Sequence, residues 1–303
     1  MGKKWLLTAL CLTMLFVWGC AYAQELEQGD SVSWTYPVSI SELQKEYIRL
    51  VNTDNLLPSD YIPTELVKIK VKKTSSSSIQ MCQFVSDALD AMFAAASNDG
   101  VTLYAHSGYR SYKTQNTMYR NRLEQNKGVD DGVVAYPGAS DHQTGLGIDI
   151  ISKEWIGKRF NSEFAKTEEA QWMAAHCAEY GFIIRYPKGK EDITKIIYEP
   201  WHLRYVGLQA AQYMMSSGLT LEEFTAQWQQ ALGDFQGNGG DTNVTPEQSQ
   251  TIQQGQTAEK DQTGVQNQTA EQAPAAGQNQ LPQGPVLLEE VGADGDPEVT
   301  LFH

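Results

Sequence analysis

The stretch SDHQTGLGIDI, residues 140–150, sets a histidine and an aspartate seven positions apart around two glycines in an otherwise apolar run. If Leu146 to Ile151 is a strand, successive side chains alternate across the sheet. Asp149 then leaves the face shared by Leu146, Ile148 and Ile150. The Gln143-Thr144-Gly145 turn can bring His142 back to the Asp149 side, and Gly147 removes the side chain that would crowd the gap. The pair suits two ligands of one metal ion. Taken alone the spacing stays open, because a lone histidine is more often structural than ligating and a strand aspartate often partners a turn.

A second stretch, YEPWHLRYVG (198–207), supplies what the first lacks. Pro200 disfavours helix at Glu199, and His202 stands three positions further on. Tyr198, Trp201, Tyr205 and, upstream, Tyr186 surround two ionisable groups, which fits a substrate cleft better than a solvated face. His142, Asp149 and His202 would give two imidazoles and a carboxylate, a donor set suited to zinc with one position left open. Glu199 would then be a proton acceptor, the division of labour that metal-assisted hydrolysis requires. A third stretch, SGYRS (107–111), puts Arg110 on a strand-to-helix loop, where a guanidinium can grip a carboxylate bidentately or form an ordinary ion pair.

Around these stretches the pattern mixes helices and antiparallel-looking strands, which predicts an α+β domain with a small antiparallel sheet. Helices are expected over Ser41–Val51, from Ile79 to a stop at Gly100, over Lys113–Gln125, over Thr167–Tyr180 with Thr167 as cap, and over Leu208–Met215. Strands are expected at Leu66–Val71, Val101–Ala105, Leu146–Ile151, and as a hairpin of Phe182–Tyr186 with Ile193–Tyr198.

SGYRS, SDHQTGLGIDI, YGFIIRYP and YEPWHLRYVG, in this order, resemble the VanY-type D-alanyl-D-alanine carboxypeptidases, a zinc peptidase family that includes peptidoglycan L,D-carboxypeptidases. The resemblance runs from about Ser78 to Gly218. It implies Zn2+ held by His142, Asp149 and His202, with Glu199 as catalytic base. Substrate contacts would fall on Arg110, Gln115, Ser140, Tyr186 and Trp201. The implied activity is removal of C-terminal D-alanine from peptidoglycan stem peptides by a monomer. Its alternatives are an L,D-carboxypeptidase acting on tetrapeptide stems and, in another class, a non-catalytic cell-wall binding module. Two positions depart from the family pattern: Gly147 replaces an alanine, a change expected to be harmless, and Lys195 stands where a small residue is expected.

The two ends differ from this core. Lys3 and Lys4 precede the apolar run Trp5–Trp18, and Ala21-Tyr22-Ala23 offers a small-x-small cleavage pattern. The run is shorter than the roughly 20 residues a spanning helix needs, so residues 1–23 read as a secretory signal peptide. Val17-Trp18-Gly19-Cys20 also resembles a lipoprotein site that would lipidate Cys20, although Trp18 sits where that pattern wants a small residue. Residues 24–77 read as an N-terminal helix and irregular arm, 78–232 as the zinc carboxypeptidase domain, and 233–303 as a disordered tail rich in Gln, Asn and Gly. The net charge of −14 on 303 residues, with no basic cluster, argues against nucleic acid. Once the leader is removed, Cys82 and Cys177 remain, as a bridge in an oxidising compartment or as buried thiols.

Overall fold

A computed structural model describes residues 32–242. Its centre is a four-stranded antiparallel sheet in the order β3-β4-β6-β5, formed by β3 (Tyr104–Ser107), β4 (Gly147–Ile151), β6 (His202–Tyr205) and β5 (Phe182–Ile184). A separate two-stranded ribbon pairs β1 (Leu66–Lys68) with β2 (Gln80–Cys82). The helices are α1 (Ile40–Leu43), α2 (Gln83–Asn98), α3 (Tyr112–Gln125), α4 (Glu168–His176), α5 (Glu191–Thr194), α6 (Leu208–Ser217) and α7 (Leu221–Gly237). The mixed order of helices and antiparallel strands is the α+β arrangement expected.

The middle strand β4 is buried along its whole length, so its apolar residues are core on a strand with neighbours on both edges. Ile148, Ile150 and Ile151 pack with Val85, Leu89 and Met92 of α2 and with Leu203 of β6. On β5 adjacent side chains go to opposite faces: Phe182 joins that core, while Ile183 joins a second one built by Trp34, Val38 and Leu43 with α6 and α7. Burying a Leu, Ile or Phe side chain contributes about 1.5–3 kcal/mol. The two cores therefore clamp the sheet between α2 on one side and the N-terminal arm with the last two helices on the other.

Local chemistry explains the helix starts. Thr167 accepts from the Ala170 amide at the head of α4, as its sequence suggested, and Ser111 caps α3 in the same way. Thr220 and Glu223 form a reciprocal capping box on α7.

Several expected elements differ. Ile193–Tyr198 is not the second strand of a hairpin. Glu191–Thr194 makes a helical turn that ends at Lys195 with φ 61°, and the partner of β5 is β6. A left-handed residue with a side chain costs about 1–2 kcal/mol, which accounts for a small residue being the expected occupant of position 195. His202 correspondingly opens strand β6. The span Ser41–Val51 holds only α1 and a 3-10 turn at Glu46–Ile48, and α2 begins at Gln83 because residues 80–82 pair with β1. The last helix runs to Gly237, beyond the boundary expected at 232. Cys82 and Cys177 are buried free thiols. The expected leader, Cys20 and all but the first ten residues of the expected tail lie outside the described residues. Among the described residues no helix is long and apolar enough to cross a membrane.

Candidate metal centre

The sheet register brings the two decisive stretches together: Asp149 on β4 pairs directly with His202 on β6. His142 reaches them from a 3-10 turn, Asp141–Thr144, whose N-cap Ser140 accepts from the His142 amide at 3.3 Å. Gly145 closes that turn at φ 69°, and its amide donates to the His142 carbonyl. The three side chains are buried, and one ligand atom from each lies within 4.8 Å of the others.

Proton accounting shows what this cluster lacks. Nδ1 of His142 lies 2.7 Å from the Gly108 carbonyl, which can only accept, so Nδ1 carries the hydrogen and Nε2 presents its lone pair. That lone pair faces Oδ2 of Asp149 at 3.4 Å. Burial, assisted by the charge of Arg110, holds His142 at about 4, so near neutral pH no second proton fills the gap. Burial alone would raise the Asp149 carboxyl, but the charges and hydrogen bonds around it hold it well below the usual carboxylate range, so it too presents lone pairs. Two acceptors thus confront each other inside the protein. His202 adds Nδ1 at 2.9 Å from the other Asp149 oxygen, and its Nε2 is buried without a hydrogen-bond partner. A cation among these atoms resolves the confrontation, and two imidazoles with one carboxylate suit zinc.

Glu199 lies just before β6, half-buried, with its amide bonded to the Tyr186 carbonyl and its carbonyl accepting from the His202 amide. Burial and then the negative Asp149 raise its carboxyl well above the usual range, against the pull of Arg110. A carboxylate tuned upward in this way is suited to accept and return protons near neutral pH.

Arg110 reaches the same cluster from the loop after β3. Its guanidinium donates to Ser107 Oγ at 3.2 Å, Gln115 Oε1 at 2.9 Å and Asp149 Oδ2 at 3.3 Å. Gln115 is buried, with its amide nitrogen on the Ala135 carbonyl at 2.7 Å, so both of its ends are engaged within the protein. Ser140 is engaged as the turn cap. The Tyr186 ring stacks on His202 with centroids 5.1 Å apart and planes at 29°. Trp201 is buried in the first core, against Phe160. His106 and His176 are not among the three clustered side chains and pair with Thr74 and Glu179 respectively.

One set of residues escaped sequence reasoning. Asp141, fully buried beside His142, accepts from Arg185 at 2.8 Å and pairs with Arg204, and Arg185 forks onto Glu222 of α7 at 2.9 and 2.7 Å. Each arginine interrupts an apolar strand, in GFIIRYP and WHLRYVG. A charge in such a place is nearly always paired, so the two arginines were the available signal for buried acidic partners.

Comparison with known proteins gives a consistent result. The family model described as VanY, D-alanyl-D-alanine carboxypeptidase, matches residues 78–208. YodJ of Bacillus subtilis (strain 168), assigned as a carboxypeptidase, is 45% identical over 181 residues, covering 58% of this chain and 66% of that protein. A D-alanyl-D-alanine carboxypeptidase of Enterococcus faecalis is 32% identical over 208 residues, covering 65% of this chain and 68% of its own length. The chain thus spans about two thirds of each of these relatives. Among solved structures, the LdcB LD-carboxypeptidase is similar with a TM-score of 0.55 and 44% identity, covering 58% of this chain and 84% of that one.

Proposed function

Since the chain belongs to the VanY family of D-alanyl-D-alanine carboxypeptidases, we propose that it is a zinc-dependent carboxypeptidase removing C-terminal D-alanine from peptidoglycan stem peptides. The observation that carries this reading is the buried His142, Asp149 and His202 cluster, with two acceptors left face to face and with Glu199 and Arg110 at its edge. His142 through Nε2, Asp149 through a carboxylate oxygen and His202 would hold the ion. When bound, zinc supplies Lewis acidity toward the scissile carbonyl and lowers the pKa of water.

The protein's own groups do the rest. Arg110 binds the substrate's terminal carboxylate. Its contact with Asp149 is long, at 3.3 Å, and is the bond that this carboxylate would replace, while Gln115 and Ser107 keep the guanidinium in place. Glu199 takes a proton from water and returns it to the leaving amine, the work its raised carboxyl suits. Tyr186 backs His202, Trp201 would support the site from the core rather than touch substrate, and Ser140 sets the turn that aims His142.

The structural likeness to the LdcB LD-carboxypeptidase favours a second specificity on the same centre, cleavage of D-alanine from tetrapeptide stems. Both reactions need a free terminal carboxylate. The proposed substrate lies outside the cytoplasmic membrane, in keeping with residues 1–23 as a cleaved secretory leader; lipidation at Cys20 is the alternative. Residues 78–237, to the end of α7, would be the catalytic unit, with 24–77 as its packed arm and 238–303 as a spacer.

Mass spectrometry of pentapeptide and tetrapeptide stems, incubated with the zinc-loaded chain and with Glu199→Gln, tests the reading. The wild type should release D-alanine from one stem or both. Glu199→Gln should keep zinc and lose at least 100-fold in rate, on the scale of a general base. Near-normal turnover by Glu199→Gln would refute the mechanism. Wall binding without alanine release would favour a non-catalytic module.

A further inference from the structure

The metal cluster leans on a charged network that the reaction itself does not use. One member, Glu222, comes from α7 and lies outside residues 78–208 of the family match. We propose that Glu222 is a positioning residue for the metal centre. It acts on His202 through Arg185 and Tyr186, and on the turn carrying His142 through Arg185 and Asp141. The proposal rests on the zinc reading above.

The contacts form an unbroken path. The Glu222 carboxylate receives both terminal nitrogens of Arg185, and Arg185 Nε donates to Asp141 at 2.8 Å. Three charge-assisted bonds leave this guanidinium little freedom. Its flat face covers the Tyr186 ring, 4.9 Å from the centroid, and that ring stacks in turn on His202. His142 packs against His202 edge-on, with centroids 4.7 Å apart. His202 thus receives its plane from a stack whose far end is anchored on α7, and its Nε2 has no hydrogen bond to hold it instead. Metal-bound imidazoles usually take their orientation from such a bond; the ring's one hydrogen bond, Nδ1 to Asp149 at 2.9 Å, runs to another of the clustered side chains, so stacking is what orients it from outside the cluster.

Charge points the same way. Asp141 and Glu222 balance Arg185 and Arg204. Neutralising Glu222 leaves an excess positive charge buried behind a cation site, besides loosening the stack. Both effects weaken metal binding.

The alternative is that Glu222 merely fastens α7 to the core. The two accounts separate in the zinc affinity of the folded chain, measured by chelator competition on full-length protein. Glu222→Gln, nearly isosteric, should weaken zinc by 10-fold or more, within the 10–100-fold range of groups that orient metal ligands. Leu232→Ala, on the same helix and packed, partly buried, against the second core, should lower thermal stability and leave zinc affinity within about 2-fold. Tyr186→Leu, which removes the stack and leaves the Glu222–Arg185 pair, should weaken zinc as Glu222→Gln does. Unchanged affinity in either Glu222→Gln or Tyr186→Leu overturns the proposal. So does a Leu232→Ala variant that loses zinc in proportion to its stability. A wild-type chain that binds no zinc refutes the functional reading, and this proposal with it, a result distinct from a wild type that binds while its variants match it.

Discussion

Replacing Asp141 with Asn is the sharpest test of what holds the His142 turn. Asp141 is fully buried and accepts from two arginines that are themselves buried. After the change Arg185 still has Glu222, but Arg204 is left with the carbonyls of Tyr47, Arg49 and Tyr205 and no anion. The new amide can offer its oxygen to one guanidinium only, and its NH2 then meets the other donor to donor. Breaking a buried ion pair by removing one partner costs about 3–5 kcal/mol, and Arg204, left uncompensated, places this case in the upper half. For a folded unit of this size each kcal/mol shifts Tm by about 2–4 °C, so a loss of roughly 8–20 °C is expected. The measurement is thermal unfolding in chelator, which removes any contribution from bound metal. Its pH dependence adds a second check. Burial would raise the Asp141 carboxyl, but Arg204 and Arg185 hold it below the ordinary value. A depressed carboxyl contributes stability above its unfolded pKa and loses it as pH falls through the folded one, so the gap between wild type and variant should shrink only in strong acid. A Tm within 2 °C of wild type near neutral pH would refute the reasoning.

Two further outcomes follow from the same contacts. Gly147→Ala, the exchange expected to be harmless, should cost about 1–3 kcal/mol, because the added methyl would lie 2.9 Å from Asp141 Cβ and 3.0 Å from its carbonyl carbon. Chemical denaturation measures this, and a change below about 0.5 kcal/mol would mean that the turn yields freely. Zinc binding should release protons at mildly acidic pH, because a cation favours the ionised form of the raised Glu199 carboxyl, whereas His142, held at about 4, is already neutral. Calorimetry in buffers of different ionisation enthalpy counts those protons. Glu199→Gln should release fewer than wild type, and equal counts would show that Glu199 is ionised before the metal arrives.

The proposed reacting groups were readable in the sequence as a set, because three stretches each set a polar side chain among apolar or aromatic neighbours, although each one alone allowed an ordinary role. Asp149 breaks an apolar alternation, and Glu199 and His202 flank a proline among aromatics. The sheet could not be read as completely. Ile193–Tyr198 has the composition of a strand, but strand composition describes a surface that packs well, and here tertiary context decided otherwise. The left-handed Lys195 turns the chain away, and the more polar HLRY takes the place beside β5 because its backbone also pairs with β4. That substitution places His202 opposite Asp149. An error over one hairpin thus hid the reason two of the expected ligands meet. Local patterns identify candidate ligands, but pairing between distant strands determines which of them converge. The buried arginines escaped for a related reason. Arg185 and Arg204 look like interruptions until their partners are brought to them by β5, β6 and α7: Asp141 is 44 residues from Arg185 and 63 from Arg204, and Glu222 is 37 from Arg185. The metal centre therefore depends on a helix that carries none of its ligands, which makes α7 part of the minimal working unit.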